Sequence, residues 1–189
     1  MAGSLLKQIA RAIFGDYQIF RIYEFGNRPD ISNNRGKAAD WSFEEVSLEQ
    51  IKVSTDVAIR ERAWYLGEDA HAFGCIRQGR ILALCVFWHG ERYRIKRNFW
   101  PLAQDEAKLV EIITLPEARG QGIAGLLIEY ASGEMFARGF HRLFARIWHS
   151  NLPSIRAFEK SGWQYLTTVL EIRPVFLGRR PLRFKINRP

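Results

Sequence analysis

Apolar and polar positions alternate along residues 17 to 25, YQIFRIYEF, as on a half-buried strand. Residues 70 to 77 and 80 to 88 are β-rich on either side of Gln78-Gly79, which predicts a hairpin. Further strands are predicted over 107 to 115, 141 to 149, 163 to 173 and 180 to 187. Helical spacing takes over at Ser47 and Gln50, a capping-box pair. Leu48, Ile51, Thr55, Ile59, Ala63 and Leu66 follow one stripe that Gly67 stops, as one helix or two short ones. A helix of roughly 18 residues opens at the glycines after Pro116, and a short one covers 152 to 161. The order β-α-β-β-β-α-β-α-β-β predicts an α/β fold with a mixed sheet of about seven strands and helices on its faces.

Two segments stand apart from that frame. Residues 4 to 14, SLLKQIARAIF, read as an amphipathic helix capped by Ser4, with Leu5, Leu6, Ile9 and Ile13 on one stripe and Lys7 and Arg11 off it. Packing on the domain is the favoured role, and contact with an anionic membrane surface is the alternative. Residues 26 to 42 are rich in Gly, Asn, Asp and Pro and form the longest loop signal. The chain therefore divides into an N-terminal helix at 1 to 16 and one domain at 17 to 189.

Composition narrows the class. Of 189 residues, 47% are hydrophobic and 25% charged, as in a soluble globular domain. No apolar run approaches the ~18 residues of a spanning helix, and Lys7, Gln8 and Arg11 interrupt any signal-peptide core. With hairpin register set by a two-residue loop, Cys75 falls opposite Leu82 and Cys85 opposite Ala72, so the cysteines read as free thiols in a reducing cytoplasm. His71, His89, His141 and His149 lack metal-ligand spacing, and no metal is expected. The net charge of +8 concentrates in ERYRIKR (91 to 97) and in a tail carrying Arg173, Arg179, Arg180, Arg183, Lys185 and Arg188. Either stripe suits a polyanionic partner or a plain solvated surface.

The stretch LPEARGQGIAGLL (115 to 127) has Gly120, Gly122 and Gly125 in dinucleotide-fingerprint spacing. A dinucleotide fold also needs the strand to run straight into the first glycine and an acid ending the next strand. Here Pro116, Glu117, Ala118 and Arg119 intervene, and the next strand ends in His149-Ser150-Asn151. The remaining reading is an anion cradle, in which the helix N-terminus offers unpaired N–H groups, the glycines allow close approach and Arg119 adds charge.

RGQGIA resembles the Arg/Gln-x-x-Gly-x-Gly/Ala signature of the GNAT-type N-acetyltransferase superfamily, with Arg119, Gly122 and Ala124 at its fixed positions. AKLVEIITLPEA is similar to that family's fourth strand. NLPSIRAFEKSGW is similar to its Asn-led helix, with Asn151, Glu159, Lys160, Gly162 and Trp163 at matching offsets. The resemblance implies a GNAT-like fold, a mostly antiparallel sheet with helices on both faces, and transfer of an acyl group from acetyl-CoA to a primary amine. It implies that Arg119, Gly120, Gln121, Gly122, Ile123 and Ala124 hold the pyrophosphate of coenzyme A. It places the thioester beside Ile112, Ile113 and Thr114, where a backbone N–H would polarise its carbonyl, and Asn151 and Phe158 along the pantetheine arm.

Glu111 is the first candidate for the base that deprotonates the amine, with Asp105, Glu106, His89 and His149 in reserve. Family members commonly carry a tyrosine, the acid for the leaving thiolate, where this chain has Phe158. Either Tyr165, Ser154 or Tyr130 replaces it, or the thiolate leaves with a proton from water, or the chain only binds acyl-CoA. The second is favoured, because a thiol's pKa is only ~8.5. The basic, aromatic segment 89 to 106 suits a small anionic acceptor such as an amino-sugar derivative. No helix-turn-helix pattern supports nucleic acid as a partner. The alternative function is a non-catalytic acyl-CoA-binding or membrane-associated module. Exposed strands and the N-terminal helix leave a dimer open.

Overall fold

A computed structural model describes residues 16–26, 40–173 and 181–186. Among them, eight strands form one sheet: β1 (Asp16–Phe25), β2 (Ser42–Glu45), β3 (Ala70–Arg77), β4 (Arg80–Trp88), β5 (Glu106–Thr114), β6 (Arg142–Trp148), β7 (Gln164–Arg173) and β8 (Leu182–Ile186). The helices are α1 (Leu48–Lys52), α2 (Val57–Arg60), α3 (Gly90–Lys96), α4 (Ile123–Ala137) and α5 (Leu152–Lys160), with 3₁₀ turns at Ala63–Tyr65 and Pro116–Ala118. The predicted helix at 4 to 14, most of the 26 to 42 loop, and Arg179, Arg180 and Arg188 lie outside the described residues.

Strand order is β2-β3-β4-β5-β6-β1-β7-β8, antiparallel throughout except for the β5–β6 pair. The mixed, mostly antiparallel sheet is as expected, with eight strands in place of about seven. The additional strand, β2, is only four residues long. SFEE is too short and too polar for periodicity to register, and it is held by pairing with β3 and by Phe43 stacked on Tyr130.

Three local expectations also change. The stripe from 48 to 66 breaks into α1, α2 and a 3₁₀ turn, since Arg60 donates to the Ser54 and Thr55 carbonyls and fixes a non-helical link. The basic segment at 91 to 97 is largely helix α3, whose start is tied down by the Asp69 carboxylate accepting from the Glu91 N–H at 2.8 Å. In the hairpin, a bulge after Cys75 leaves Leu82 unpaired, so Cys75 faces Ala83 and Cys85 faces Phe73. Both thiols are free and buried. Burial pushes Cys75 up to about 11 and Cys85 higher still, so neither is a nucleophile.

Each face of the sheet carries its own core. On one, α4 and α5 bury Leu127, Ala131, Met135, Ile155 and Phe158 against Tyr23, Leu109, Leu143 and Ile147. On the other, α1, α2 and α3 bury Ile51, Ile59, Tyr65 and Tyr93 against Leu84, Val86 and Trp88, and a smaller cluster forms around Phe20, Phe99 and Phe144. Fully burying one such side chain contributes about 1.5–3 kcal/mol. These two layers cover the sheet on both faces, and its strand pairing is interrupted at one gap between β5 and β6.

Candidate active site

The gap lies between β5 and β6. Parallel pairing runs from Glu106 opposite Arg142 to Leu109 opposite Ala145 and then stops, although β5 continues to Thr114 and β6 to Trp148. A bulge at Val110 accompanies the separation, because Phe87 pairs with Leu109 and Val86 with Glu111. Beyond it, the Leu115 N–H donates to the Leu82 carbonyl at 2.9 Å. By the alternation of an antiparallel ladder, Ile113 then faces β4, while Ile112 and Thr114 turn their backbone groups to the open side.

Thr114 leads directly into the glycine loop. Its carbonyl accepts from Nε of Arg119 at 3.1 Å, and the Glu117 carbonyl accepts from the Gln121 amide at 3.1 Å. Gly120 and Gly122 have φ of +78° and +76°, a conformation that favours glycine, and a Cβ at either would meet nothing within 4 Å. The loop is thus shaped by backbone and bordered by open space. Ile123, buried, and Ala124 begin α4, a helix of 15 residues and not roughly 18, because the left-handed Gly122 caps it. Its first N–H groups are the unpaired donors an anion needs, and the residues present fit a pyrophosphate. Gly125 serves packing instead, its carbonyl accepting from the Ser161 hydroxyl at 2.8 Å where α5 crosses.

The second motif surrounds α5. Asn151 caps it, its side-chain oxygen accepting from the Ser154 N–H at 3.3 Å, and sits three residues past the end of β6, the stretch that pairs with β1 but no longer with β5. Glu159 accepts from the Tyr23 hydroxyl at 2.8 Å, Gly162 takes φ +82° to end the helix, and the Trp163 indole donates to Ser132. Phe158 is buried between Tyr23 and Trp163, with ring centroids 6.4 and 5.0 Å away.

Glu111 occupies the open stretch of β5. The bulge turns Val110 and Glu111 both toward the α1–α3 side, where Val110 packs against the buried cluster and Glu111 stands 3.8 Å from Nε of Arg62. The Tyr65 hydroxyl faces the same carboxylate. Burial, and then the hydrogen bond to Glu111, push that phenol up to about 12.

The other candidates are placed elsewhere. Asp105 and Glu106 lie at the far end of β5, paired with His141 and Arg142. His89 caps α3 and stacks on His71, while His149 contacts the Ile19 carbonyl beyond β6. Tyr130 is engaged with Phe43 and Phe73 on the α4 side. Tyr165 is on β7, three strands from β5 and about 14 Å away at ~4.8 Å per strand, with its hydroxyl 2.8 Å from that of Thr168. The sheet does not bring Tyr165 to the gap, because β6 and β1 intervene.

Four further residues stand near Glu111 or near the point where β5 and β6 part, and none is singled out by the sequence: Lys108, Arg146, Arg62 and Tyr65. The available signal for the first two is a cation inside a mostly apolar strand, Lys108 in AKLVEIITL and Arg146, which follows Arg142, in HRLFARIWH. Lys108 is 4% exposed, and among the described residues its ammonium reaches the Tyr93 hydroxyl at 3.5 Å and the rings of Phe99 and Tyr93. Arg146 lies over Phe20 and Phe99 at 4.4 and 4.2 Å.

A family model for the acetyltransferase (GNAT) family matches residues 37–163. No curated protein matches the chain. Among solved structures it is similar to a GNAT-family acetyltransferase from Colwellia psychrerythraea, with TM-score 0.58, 13% identity, and 90% of this chain and 61% of that one covered. It is also similar to a GCN5-related N-acetyltransferase from Sphaerobacter thermophilus, with TM-score 0.60, 12% identity, and 91% and 56% covered. The ribosomal-protein-S18-alanine N-acetyltransferase of Escherichia coli is matched with TM-score 0.50, 18% identity, and 71% and 94% covered. The chain spans about three-fifths of the length of the first two of these. The structural likenesses speak for the fold, and the family match covers more than half of the chain. The chain belongs to the acetyltransferase (GNAT) family.

Proposed function

We propose that the protein is an acyl-CoA-dependent N-acyltransferase that moves an acetyl group from acetyl-CoA to the primary amine of a small anionic acceptor. The observation that carries this reading is the continuity of one strand. Within β5 and the loop it enters, Glu111, the backbone edge that β6 leaves open at Ile112 and Thr114, and the glycine cradle at Arg119–Ala124 follow one another.

In this reading, the cradle N–H groups and Arg119 bind the pyrophosphate, and Asn151 lines the pantetheine arm opposite. A backbone N–H of the Ile112–Thr114 edge donates to the thioester oxygen as negative charge develops there. Glu111 takes a proton from the acceptor ammonium. The freed lone pair forms the C–N bond, the C–S bond breaks, the thiolate leaves with the electron pair, and the nitrogen gives its second proton to water to become the amide. Water supplies the thiol proton, since a thiol of pKa ~8.5 is an adequate leaving group and Phe158 has no proton to give.

Phe158 is also the observation behind a second reading, an acyl-CoA-binding module without chemistry, held at a membrane surface by the helix predicted at 4 to 14. A reducing cytoplasmic setting is supported under either reading by two buried free thiols. The deciding experiment incubates the protein with acetyl-CoA and amines with and without anionic groups, and reads the products by mass spectrometry. An acetylated amine supports the transferase. Tight CoA binding with no acetylated amine supports the module.

A further inference from the structure

On the α1–α3 face, beside the point where β5 and β6 part, lies a cleft of about 250 Å³. Leu109 and Val110, the last paired residue of β5 and the bulge, form part of its wall. Among the described residues its polar lining is six cationic side chains against one carboxylate, Glu171. That carboxylate is already committed, accepting from Arg173 and Arg183 at 2.9 Å each. Three cations converge on the ring of Phe99: the Lys108 ammonium at 5.0 Å, Arg146 at 4.2 Å and Arg183 at 4.5 Å.

Such a cluster is costly as it stands. A buried ammonium without a carboxylate is among the least favourable groups a core can hold. Arginines remain protonated at neutral pH, so their mutual repulsion cannot be relieved by losing a proton. Facing Lys108 are Tyr93 from α3, Arg97 just after it, Arg146 from β6 and Arg183 from β8, with Glu171 of β7 in the same cleft. Burial, and then Arg146, Arg97 and Arg183, hold the lysine well below its ordinary range. An oxoanion in the cleft would offset the three guanidinium charges and favour the protonated form of Lys108, and charge-assisted hydrogen bonds to guanidinium groups are the strong ones.

We propose that this cleft is the anion subsite of the acceptor, in which Lys108, Arg146 and Arg183 bind a phosphate, sulfate or carboxylate carried on the molecule whose amine is acylated. The cleft is smaller than the ~300–1,000 Å³ of a drug-sized site, which suits one anionic group on a short stem. It is joined to Glu111 through Val110 and through Arg97, which donates to the Tyr65 hydroxyl at 3.5 Å. The acceptor class is therefore amino acids or aminated phosphate or sulfate esters, and polycationic amines are excluded by charge. The acceptor assignment rests on the transferase reading above, whereas the anion site stands on its own geometry.

The test is calorimetric titration of inorganic phosphate, and separately of malonate, into protein saturated with CoA so that the glycine cradle is occupied. Saturable binding of either probe is expected, weakened at least tenfold in Lys108→Met and in Arg183→Gln. Arg94→Gln, an exposed charge outside the cleft, should leave it unchanged. Tighter phosphate binding points to phosphate or sulfate esters, and tighter malonate binding to amino acids. No binding, or binding equal in wild type and both cleft variants, or an equal loss in Arg94→Gln, would overturn the subsite. Failure of CoA itself to bind in the preliminary titration would instead count against the transferase reading, and the same phosphate and malonate titrations into the CoA-free wild type, Lys108→Met and Arg183→Gln would then decide the anion site by the same criteria.

Discussion

Nε of Arg62 stands 3.8 Å from Oε1 of Glu111, so a positive charge from the α1–α3 layer faces the carboxylate on the open stretch of β5 without a hydrogen bond between them. Arg62 is itself anchored, donating to the Ala58 carbonyl at 3.0 Å and to Glu61 at 3.2 Å. The Tyr65 hydroxyl approaches the same carboxylate. A strand that had kept its pairing with β6 would have spent its backbone edge on the ladder. The bulge at Val110 accompanies the end of that pairing and directs Glu111 to this face, so one irregularity goes with both the open edge and the carboxylate proposed as the base.

The glycine loop separates close approach from packing. Gly122→Trp fills the open space in front of the loop and forces a non-glycine residue to φ +76°, a strain of roughly 1–2 kcal/mol. CoA affinity should fall at least tenfold while the fold survives. At Gly125 an added Cβ would meet Ser161 Oγ at 3.6 Å, an ordinary contact, so Gly125→Ala should bind CoA as wild type does. Titration of CoA into the three proteins checks both.

Lys108 should make stability depend on pH in a definite direction. Its folded value lies below the ordinary one. Between that lowered value and the ~10.4 of an unfolded lysine, the unfolded chain binds a proton that the folded chain does not. Stability from this group therefore rises with pH across that window and is flat below it. Lys108→Met removes the slope and, at neutral pH, should gain about 1 kcal/mol, a rise of roughly 2–4 °C in Tm. Thermal unfolding of both proteins from neutral to alkaline pH measures the difference.

Departure of the thiolate without an enzyme acid gives a third expectation. Phe158→Tyr should leave kcat within about threefold of wild type. Tyr165→Phe should lose the contact with Thr168 and about 1 kcal/mol of stability, with kcat/KM unchanged, since β7 is three strands from β5. A tenfold rise in kcat for the first variant, or a tenfold fall for the second, would show that an acid is needed. Steady-state thiol release gives both numbers.

Much of this arrangement is legible in the chain. Local signals mark the strands, the Gln78-Gly79 turn and the glycine loop, because turn chemistry and period-two alternation act over a few residues. β2 is not legible: Ser42–Glu45 is held by its partner strand and by Phe43 on Tyr130, not by its own pattern. The bulges after Cys75 and at Val110 are equally silent, since each depends on how two strands settle against each other. Lys108, Arg146 and Arg183 come from three strands, and only the order β5-β6-β1-β7-β8 shows where they lie relative to one another. Tyr165 looks close to Phe158 in sequence, yet the same order carries it away from the gap.

The most direct test of the transferase is thiol release from acetyl-CoA across amines bearing a phosphate or carboxylate, with Glu111→Gln beside wild type. General-base catalysis is worth ~10²–10⁴ in rate. The prediction is turnover with at least one anionic amine, reduced about a hundredfold or more in Glu111→Gln with CoA affinity unaltered. Equal turnover in the two proteins would remove Glu111 from the chemistry. No turnover with any amine, despite CoA binding that Gly122→Trp abolishes, would contradict the transferase itself.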